Sequence, residues 1–274
     1  MKSILEHLGT YKRRYIQLLA AVLYNCHFAG FFEGRIYKGK SKGFCVPGLN
    51  CYSCPGAVAS CPLGSLQNGL TRVSVKVPFY VLGTLLLFGL LFGRLICGFL
   101  CPFGFLQELL HKIPFFKIRK NRITRALSYV KYGILLIFVI GIPVLKAAPG
   151  FCKYICPAGT LEAGIPLVLA NENLREQLGF LFSWKVFVLA LCTLLCLMCY
   201  RGFCRFLCPL GALYSFFNPV AFLGIRVDQK KCTGCGACIR ACKMDVKCVG
   251  DGECIHCGDC KKVCPEDAIY YGTK

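Results

Sequence analysis

Four apolar runs punctuate the chain, at roughly 15–32, 78–96, 127–148 and 180–200. Each is close to the ~20 residues an α-helix needs to cross a bilayer core. The second is the clearest: VPFYVLGTLLLFGLLFG, from Val77, has no charged residue. A buried core helix of a soluble protein fits only the first, which carries Asn25, Cys26 and His27. That run follows Lys12, Arg13 and Arg14 and ends in Phe31, Phe32 and Glu33. With no small-residue cleavage site, it reads as a retained span rather than a signal peptide. Near residue 224 the apolar runs stop, and a segment rich in Cys, Gly and Lys runs from Arg226 to the end. The pattern predicts an α-helical membrane domain of about four transmembrane helices over 1–223, and a small α+β domain over 224–274.

Charge adds an orientation. The chain is 56% hydrophobic, and its 33 Lys and Arg outnumber 13 Asp and Glu, for a net charge of +20. A chain this apolar is no free nucleic-acid binder; basic loops beside membrane spans account for the excess. Seven basic residues and no acidic ones lie in 111–131, four basic residues lie before the first run, and eleven follow residue 200. These place both termini and the tail in the cytoplasm, at an inner membrane crossed several times. The 149–179 loop, with two basic and three acidic residues, behaves as an outer loop; 33–77, with six basic and one acidic, does not. The spans hold no Asp or Glu, which argues against ion pumping by this chain alone.

Cysteine is the outlier, at 23 residues of 274. Disulfide-rich chains are short, exported and poor in apolar spans, so grouped cysteines here point to metal. The string C-P-x-G-x-L occurs four times, from Cys61, Cys101, Cys156 and Cys208. In the last three, another cysteine lies four residues earlier: Cys97, Cys152 and Cys204; the first copy instead has Cys51 and Cys54 upstream. Pro suits the first turn of a helix, where its missing N–H costs nothing. Gly permits close backbone approach. Each copy therefore predicts a cysteine ligand at the start of a short helix, whose free N–H groups and positive end favour an anionic group such as a thiolate-held iron–sulfur cluster.

The tail is more specific still. CTGCGACIRAC from Cys232 and CIHCGDCKKVCP from Cys254 are two C-x2-C-x2-C-x3-C runs, the bacterial two-cluster ferredoxin pattern. In that pattern Cys232, Cys235, Cys238 and Cys264 hold one cluster, and Cys254, Cys257, Cys260 and Cys242 the other. Two zinc CxxC pairs would leave the remaining cysteines of each run without a purpose. The first run departs from the pattern by ending CKM rather than CP, and Cys248 is surplus.

Topology groups the rest. Cys97 and Cys101 end the second run and Cys204 and Cys208 the fourth, on the cytoplasmic side, giving the four thiolates of a third cluster. On the opposite face, Cys61, Cys152 and Cys156 with either Cys51 or Cys54 make a fourth. Cys45, Cys26, Cys192, Cys196 and Cys199 read as small apolar packing residues.

With GFLCPFGFLQE from Gly98, RGFCRFLCPLGALY from Arg201, PGLNCYSCP from Pro47 and the tandem tail, the chain resembles the NapH-type membrane polyferredoxins, related to NosR-like and CcoG-like proteins. The resemblance implies about four membrane helices, several [4Fe–4S] clusters, and passage of electrons between a membrane donor and a partner redox protein. From this sequence, the flavin-binding extracytoplasmic domain of NosR-like proteins is not expected. No C-x-x-C-H haem site or G-x-G-x-x-G fingerprint in a strand–helix setting is present, and only His27 lies in a predicted span. An electron-transfer subunit fits this equipment better than a stand-alone enzyme. Clusters on both faces would relay electrons across the ~30 Å core. Lys230, Lys231, Lys243, Lys247, Lys261 and Lys262 suit an acidic redox partner. Quinol is a compatible donor, although no quinone pocket is legible. The competing expectation is an assembly or regulatory factor, such as a metal-ion reductase, toward which the CcoG-like relatives point.

Overall fold

The computed structural model describes residues 10–71, 78–118 and 120–274. Lys2, His7, Arg72, Lys76 and Arg119, which entered the charge and histidine readings, lie outside them.

The first apolar run is not one helix. Helix α1, Thr10–Tyr24, stops where Asn25 turns its side-chain amide onto Ala21 O (3.0 Å) and Asn50 Oδ1 (2.9 Å). Asn competes with the helical ladder for backbone partners, and the run resumes only as the five-residue helix Ala29–Glu33, ended by Gly34 in the left-handed conformation. Helix α2 is Pro62–Leu70, and α3, Phe79–Phe92, has 14 residues. At 1.5 Å per residue α3 spans ~21 Å, short of a ~30 Å core. Helix α4 is Pro102–Leu110. Helices α5, Arg122–Lys146, and α7, Phe180–Met198, are long and apolar enough to cross a membrane, and among the described residues they are the two that are. Of the four expected spans, two are helices of full spanning length among the described residues, and α6, Pro157–Ala170, and α3 are shorter apolar helices. The middle of α5, Leu135–Gly141, is wound as a π-helix.

The four C-P-x-G-x-L strings share one local structure. Cys61, Cys101, Cys156 and Cys208 are the N-caps of α2, α4, α6 and α8 (Pro209–Phe217), each with Pro in the first turn. The earlier cysteines Cys97, Cys152 and Cys204 sit on the short helices Leu95–Phe99, Gly150–Tyr154 and Gly202–Phe206.

Between α1 and α2 the chain runs inside the protein. Val46, Pro47, Gly48, Leu49 and Asn50 are all buried. The segment is held by Val46 N–H to Ser60 O (3.0 Å), Ser60 N–H to Phe44 O (2.8 Å) and the Tyr214 hydroxyl donating to Pro47 O (2.9 Å). Irregular backbone of this kind persists among membrane helices only where protein surrounds it.

In the tail, β1 (Leu223–Val227) pairs antiparallel with β2 (Ile269–Thr273), from Leu223 opposite Thr273 to Val227 opposite Ile269. Helix α9, Ala237–Ala241, lies between them in sequence. The tail shares a core with the helical part: Met244, Val246 and Ile255 are buried in one cluster with Leu63, Ile96 and Phe103. Ile225, Ile269 and Tyr271 close around Phe99.

Candidate metal centres

Cys97, Cys101, Cys204 and Cys208 come together in the interior. All four are buried. The Cys204 and Cys208 sulfurs hydrogen-bond to each other, and Cys97 and Cys101 lie within electrostatic reach of Cys204. Gly104 N–H points at Cys101 Sγ and Gly211 N–H at Cys208 Sγ, both at 3.4 Å. These are the free N–H groups of helix starts turned onto sulfur. The string's glycine has a second reason here. A Cβ on Gly104 would stand 3.1 Å from Cys97 O and 3.2 Å from the Arg201 guanidinium, and one on Gly211 would stand 3.2 Å from Cys204 O.

Two fully buried arginines flank this site, each three residues before a ligand-bearing turn. Arg94 donates to Cys204 O (3.4 Å), and Arg201 to Cys97 O. Neither charge is left alone. Glu108 binds Arg201 (2.6 Å) and Arg13 (2.7 Å), and Glu253 binds Arg94 (2.7 Å) and Lys131 (2.5 Å). The Cys208 thiol's hydrogen bond, with Arg201, Gln107 and Arg94 behind it, holds the Cys204 thiol below its ordinary range.

The second group surrounds a cavity of about 320 Å³ lined by Cys51, Cys61, Cys152 and Cys156. Cys54 is not part of that lining; its thiol faces the Gly56 and Ala57 backbone. Gly159 N–H points at Cys156 Sγ (3.4 Å). Glu162 accepts Cys51 N–H at 2.7 Å, and burial pushes its carboxyl up to about 7. Burial likewise pushes the Cys152 thiol up to about 12 and raises Cys51, Cys61 and Cys156. Iron arriving here would displace protons rather than meet free thiolates.

The two groups are neighbours. A Cβ on Gly48 would stand 3.1 Å from Cys101 Cα, and Cys51, three residues on, lines the second cavity. Three residues reach at most ~11 Å. The buried Val46–Asn50 segment thus brings both groups into one interior.

In the tail, Cys232, Cys235, Cys238 and Cys264 line a cavity of about 250 Å³, together with Cys248. Cys242, Cys254, Cys257 and Cys260 lie within electrostatic reach of one another. This last group meets the arginine-flanked one directly: a Cβ on Gly98 would stand 2.2 Å from Ile255 O, so Cys97–Gly98 and Cys254–Cys257 touch backbone to backbone.

The residues fit cubane clusters. Among the described residues no three His, Cys, Asp or Glu side chains converge on a point where a single ion would sit. Two of the groups line cavities, and Cys101, Cys156 and Cys208 receive N–H donors at sulfur, as thiolate ligands of a cluster do.

The sequence reading missed Arg94, Arg201, Glu108, Glu253 and a seventh position of the repeated string. That position is Gln67, Gln107, Glu162 and Tyr214 in the four copies. Gln67 Nε2 donates to Cys152 Sγ (3.2 Å) and Gln107 Nε2 to Cys204 Sγ (3.0 Å). The signal was present in the second and fourth copies, where an Arg precedes C-x3-C-P by three residues. Cys45 and Cys26 lie outside all four groups, and Cys192, Cys196 and Cys199 are buried in or just after α7. Cys192 and Cys196 line an apolar cavity of about 210 Å³ beside Gln107.

A family model described as a 4Fe-4S binding domain matches residues 77–122, 132–165 and 180–226. The chain is 29% identical over 191 residues to an uncharacterized protein of Methanocaldococcus jannaschii, covering 66% of this chain and 65% of that one. It is 28% identical over 187 residues to the methylamine utilization ferredoxin-type protein MauN of Methylobacillus flagellatus, covering 66% and 58%. It is 25% identical over 227 residues to the ferredoxin-type protein NapH of Escherichia coli, covering 77% and 73%. The chain thus spans just under two thirds of the first of these relatives and less of the second. No solved structure matches.

Proposed function

We propose that the chain is a NapH/NosR-like polyferredoxin, a membrane-bound iron–sulfur electron carrier with four [4Fe–4S] clusters; the match to a 4Fe-4S binding domain and the likeness to ferredoxin-type proteins support this. The observation that carries the reading is the sorting of sixteen of the 23 cysteines into four groups of four. Cys97, Cys101, Cys204 and Cys208 hold one cluster, and Cys51, Cys61, Cys152 and Cys156 another. In the tail, Cys232, Cys235, Cys238 and Cys264 hold the third and Cys242, Cys254, Cys257 and Cys260 the fourth. Such clusters supply reversible one-electron storage; the protein sets their solvent access, hydrogen bonds and surrounding charge.

The protein faces lipid along α3, α5 and α7, where Phe79, Leu87, Leu136, Ile137, Phe187 and Leu191 are exposed. In the tail, Cys232 and Cys235 are exposed, with Lys230, Lys231 and Lys247 nearby in sequence or cavity. This is the face for an acidic redox protein. The apolar cavity beside Gln107 is the place for a quinone head group, one hydrogen-bonded residue from Cys204. Both termini and the tail lie on the cytoplasmic side.

Anaerobic purification in detergent tests the proposal. About 16 irons and as many acid-labile sulfides per chain are expected, four for each cluster. A chain that takes up zinc instead, with no reducible EPR signal, would overturn it.

A further inference from the structure

The two membrane groups have matched ligand sets and hydrogen bonds but unlike charge. Around the arginine-flanked group, Arg94, Lys131 and Glu253 form one buried ion cluster, and Arg201, Arg13 and Glu108 another. Each holds two cations and one carboxylate, so each carries one net positive charge, two in all. Arg94, Arg201 and Lys131 are fully buried and Arg13 nearly so. Arg94 and Arg201 both hydrogen-bond to a ligand cysteine's carbonyl.

Around the loop-side group, the Glu162 carboxyl sits on the Cys51 backbone. The cations that face it are Lys42, Lys153 and Lys185, half-buried or exposed. Solvent screens such rim charges, whereas buried ones act at nearly full strength. Burial alone would make the arginine-flanked group the harder one to charge; two unscreened net positive charges oppose that and outweigh it.

We propose that these charges grade the two membrane groups, so that a cluster held by Cys97, Cys101, Cys204 and Cys208 is reduced at a higher potential than one held by Cys51, Cys61, Cys152 and Cys156. An electron shared between the two then rests on the arginine-flanked side, next to the tail. Arg94 and Arg201 are positioning residues in this scheme; they set the field and ligate nothing. The inference rests on the proposed cluster assignment.

The test is an anaerobic EPR redox titration of the full chain. Cys101→Ser and Cys51→Ser, each missing one membrane signal, assign the signals. The arginine-flanked signal is expected at the higher midpoint potential. Arg94→Gln leaves Lys131 and Glu253 paired and neutral, so the ion cluster survives without its excess charge. Its arginine-flanked midpoint is expected to fall while the loop-side midpoint stays, and Arg94→Lys is expected to restore it. If Arg94→Gln loses iron, Arg201→Gln, which leaves Arg13 and Glu108 paired, takes its place, and the wild-type order still decides. Equal or reversed wild-type midpoints, or an Arg→Gln shift common to both signals, would overturn the grading. Absence of either membrane signal with its irons would instead overturn the cluster assignment beneath it.

Discussion

At the arginine-flanked site, Gln107 of α4 donates to the sulfur of Cys204; at the loop-side site, Gln67 of α2 donates to the sulfur of Cys152. Both amides also accept a backbone N–H with their oxygen, from Cys204 (3.3 Å) and Phe151 (3.0 Å). In each site a C-P-x-G-x-L-Q helix reaches over to the first cysteine of a facing C-x3-C-P pair. The plans diverge at the remaining ligand. Cys97 sits on a short helix between Arg94 and the α4 turn, whereas Cys51 sits on an irregular segment ten residues before its turn. The helical version places buried arginines beside the sulfurs. The irregular version has no such arginine and leaves Cys51 and Cys152 half-buried. One repeated string has thus been built into two environments, and the difference lies in what precedes the string.

The strongest test of that contrast removes one carboxylate from each site. Glu108 neutralises two cations, Arg13 and Arg201, in a buried setting. Glu108→Ala should destabilise the protein by about 3–5 kcal/mol, the usual cost of stranding a buried charge. Glu162 holds one backbone N–H, and Glu162→Ala should cost about 1–3 kcal/mol. Thermal unfolding in detergent, followed with iron release, should show the larger drop for Glu108→Ala; equal drops would mean that the two environments do not differ in buried charge.

The next test concerns the irregular ligand. Cys51→Ser should lose one cluster, about four irons per chain, while Cys54→Ser should keep all of them. Iron and sulfide quantification reads this directly. Loss in the Cys54 variant and retention in the Cys51 variant would reverse the assignment of the loop-side site.

How much of this was legible in the sequence follows from the same contrast. The tail quartets and the four strings could be read because ligand spacing and Pro and Gly positions are local properties. Cys51 could not be separated from Cys54, because both belong to a segment without helical or alternating periodicity; its path is fixed by Ser60, Tyr214 and Asn25, distant partners that no local pattern reveals. The same segment explains why the closeness of the two membrane groups was not legible. Counting spans assumes that each apolar run crosses the bilayer and that loops stay outside, yet α1 breaks at Asn25, α3 is short, and Val46–Asn50 lies inside. The awkward basic count of 33–77 belongs here too, since Lys42 is tied to Ala57 O at 2.7 Å within this fold. Arg94 and Arg201 were missed because their carboxylate partners lie 159 and 93 positions away.

A smaller effect is expected where the arginine-flanked site meets the tail. Gly98→Ala puts a methyl where Ile255 O stands at 2.2 Å, backbone against backbone. Neither side can rotate away, so the contact must open, at about 1–3 kcal/mol. Hydrogen exchange should rise in residues 251–258 and in 95–99 but not at the loop-side site. Unchanged protection there would mean that the tail docks through its ion pairs alone.

The smallest effects should come from the two glutamines, and they measure how far the shared plan goes. Gln107→Leu and Gln67→Leu each remove one N–H···S donor and leave a backbone N–H, of Cys204 or Phe151, without its acceptor. Each should cost about 0.5–1.5 kcal/mol in stability. Each should also lower the midpoint potential of its own cluster only, because a donor to sulfur favours the more negative, reduced state. If the amides are equivalent parts of one design, the two shifts will be similar despite the different surrounding charge. A larger shift for Gln107 would mean that the amide and the buried arginines reinforce one another, as polarised hydrogen-bond networks in a low-dielectric interior do, and the two sites would then differ in kind rather than by an added charge.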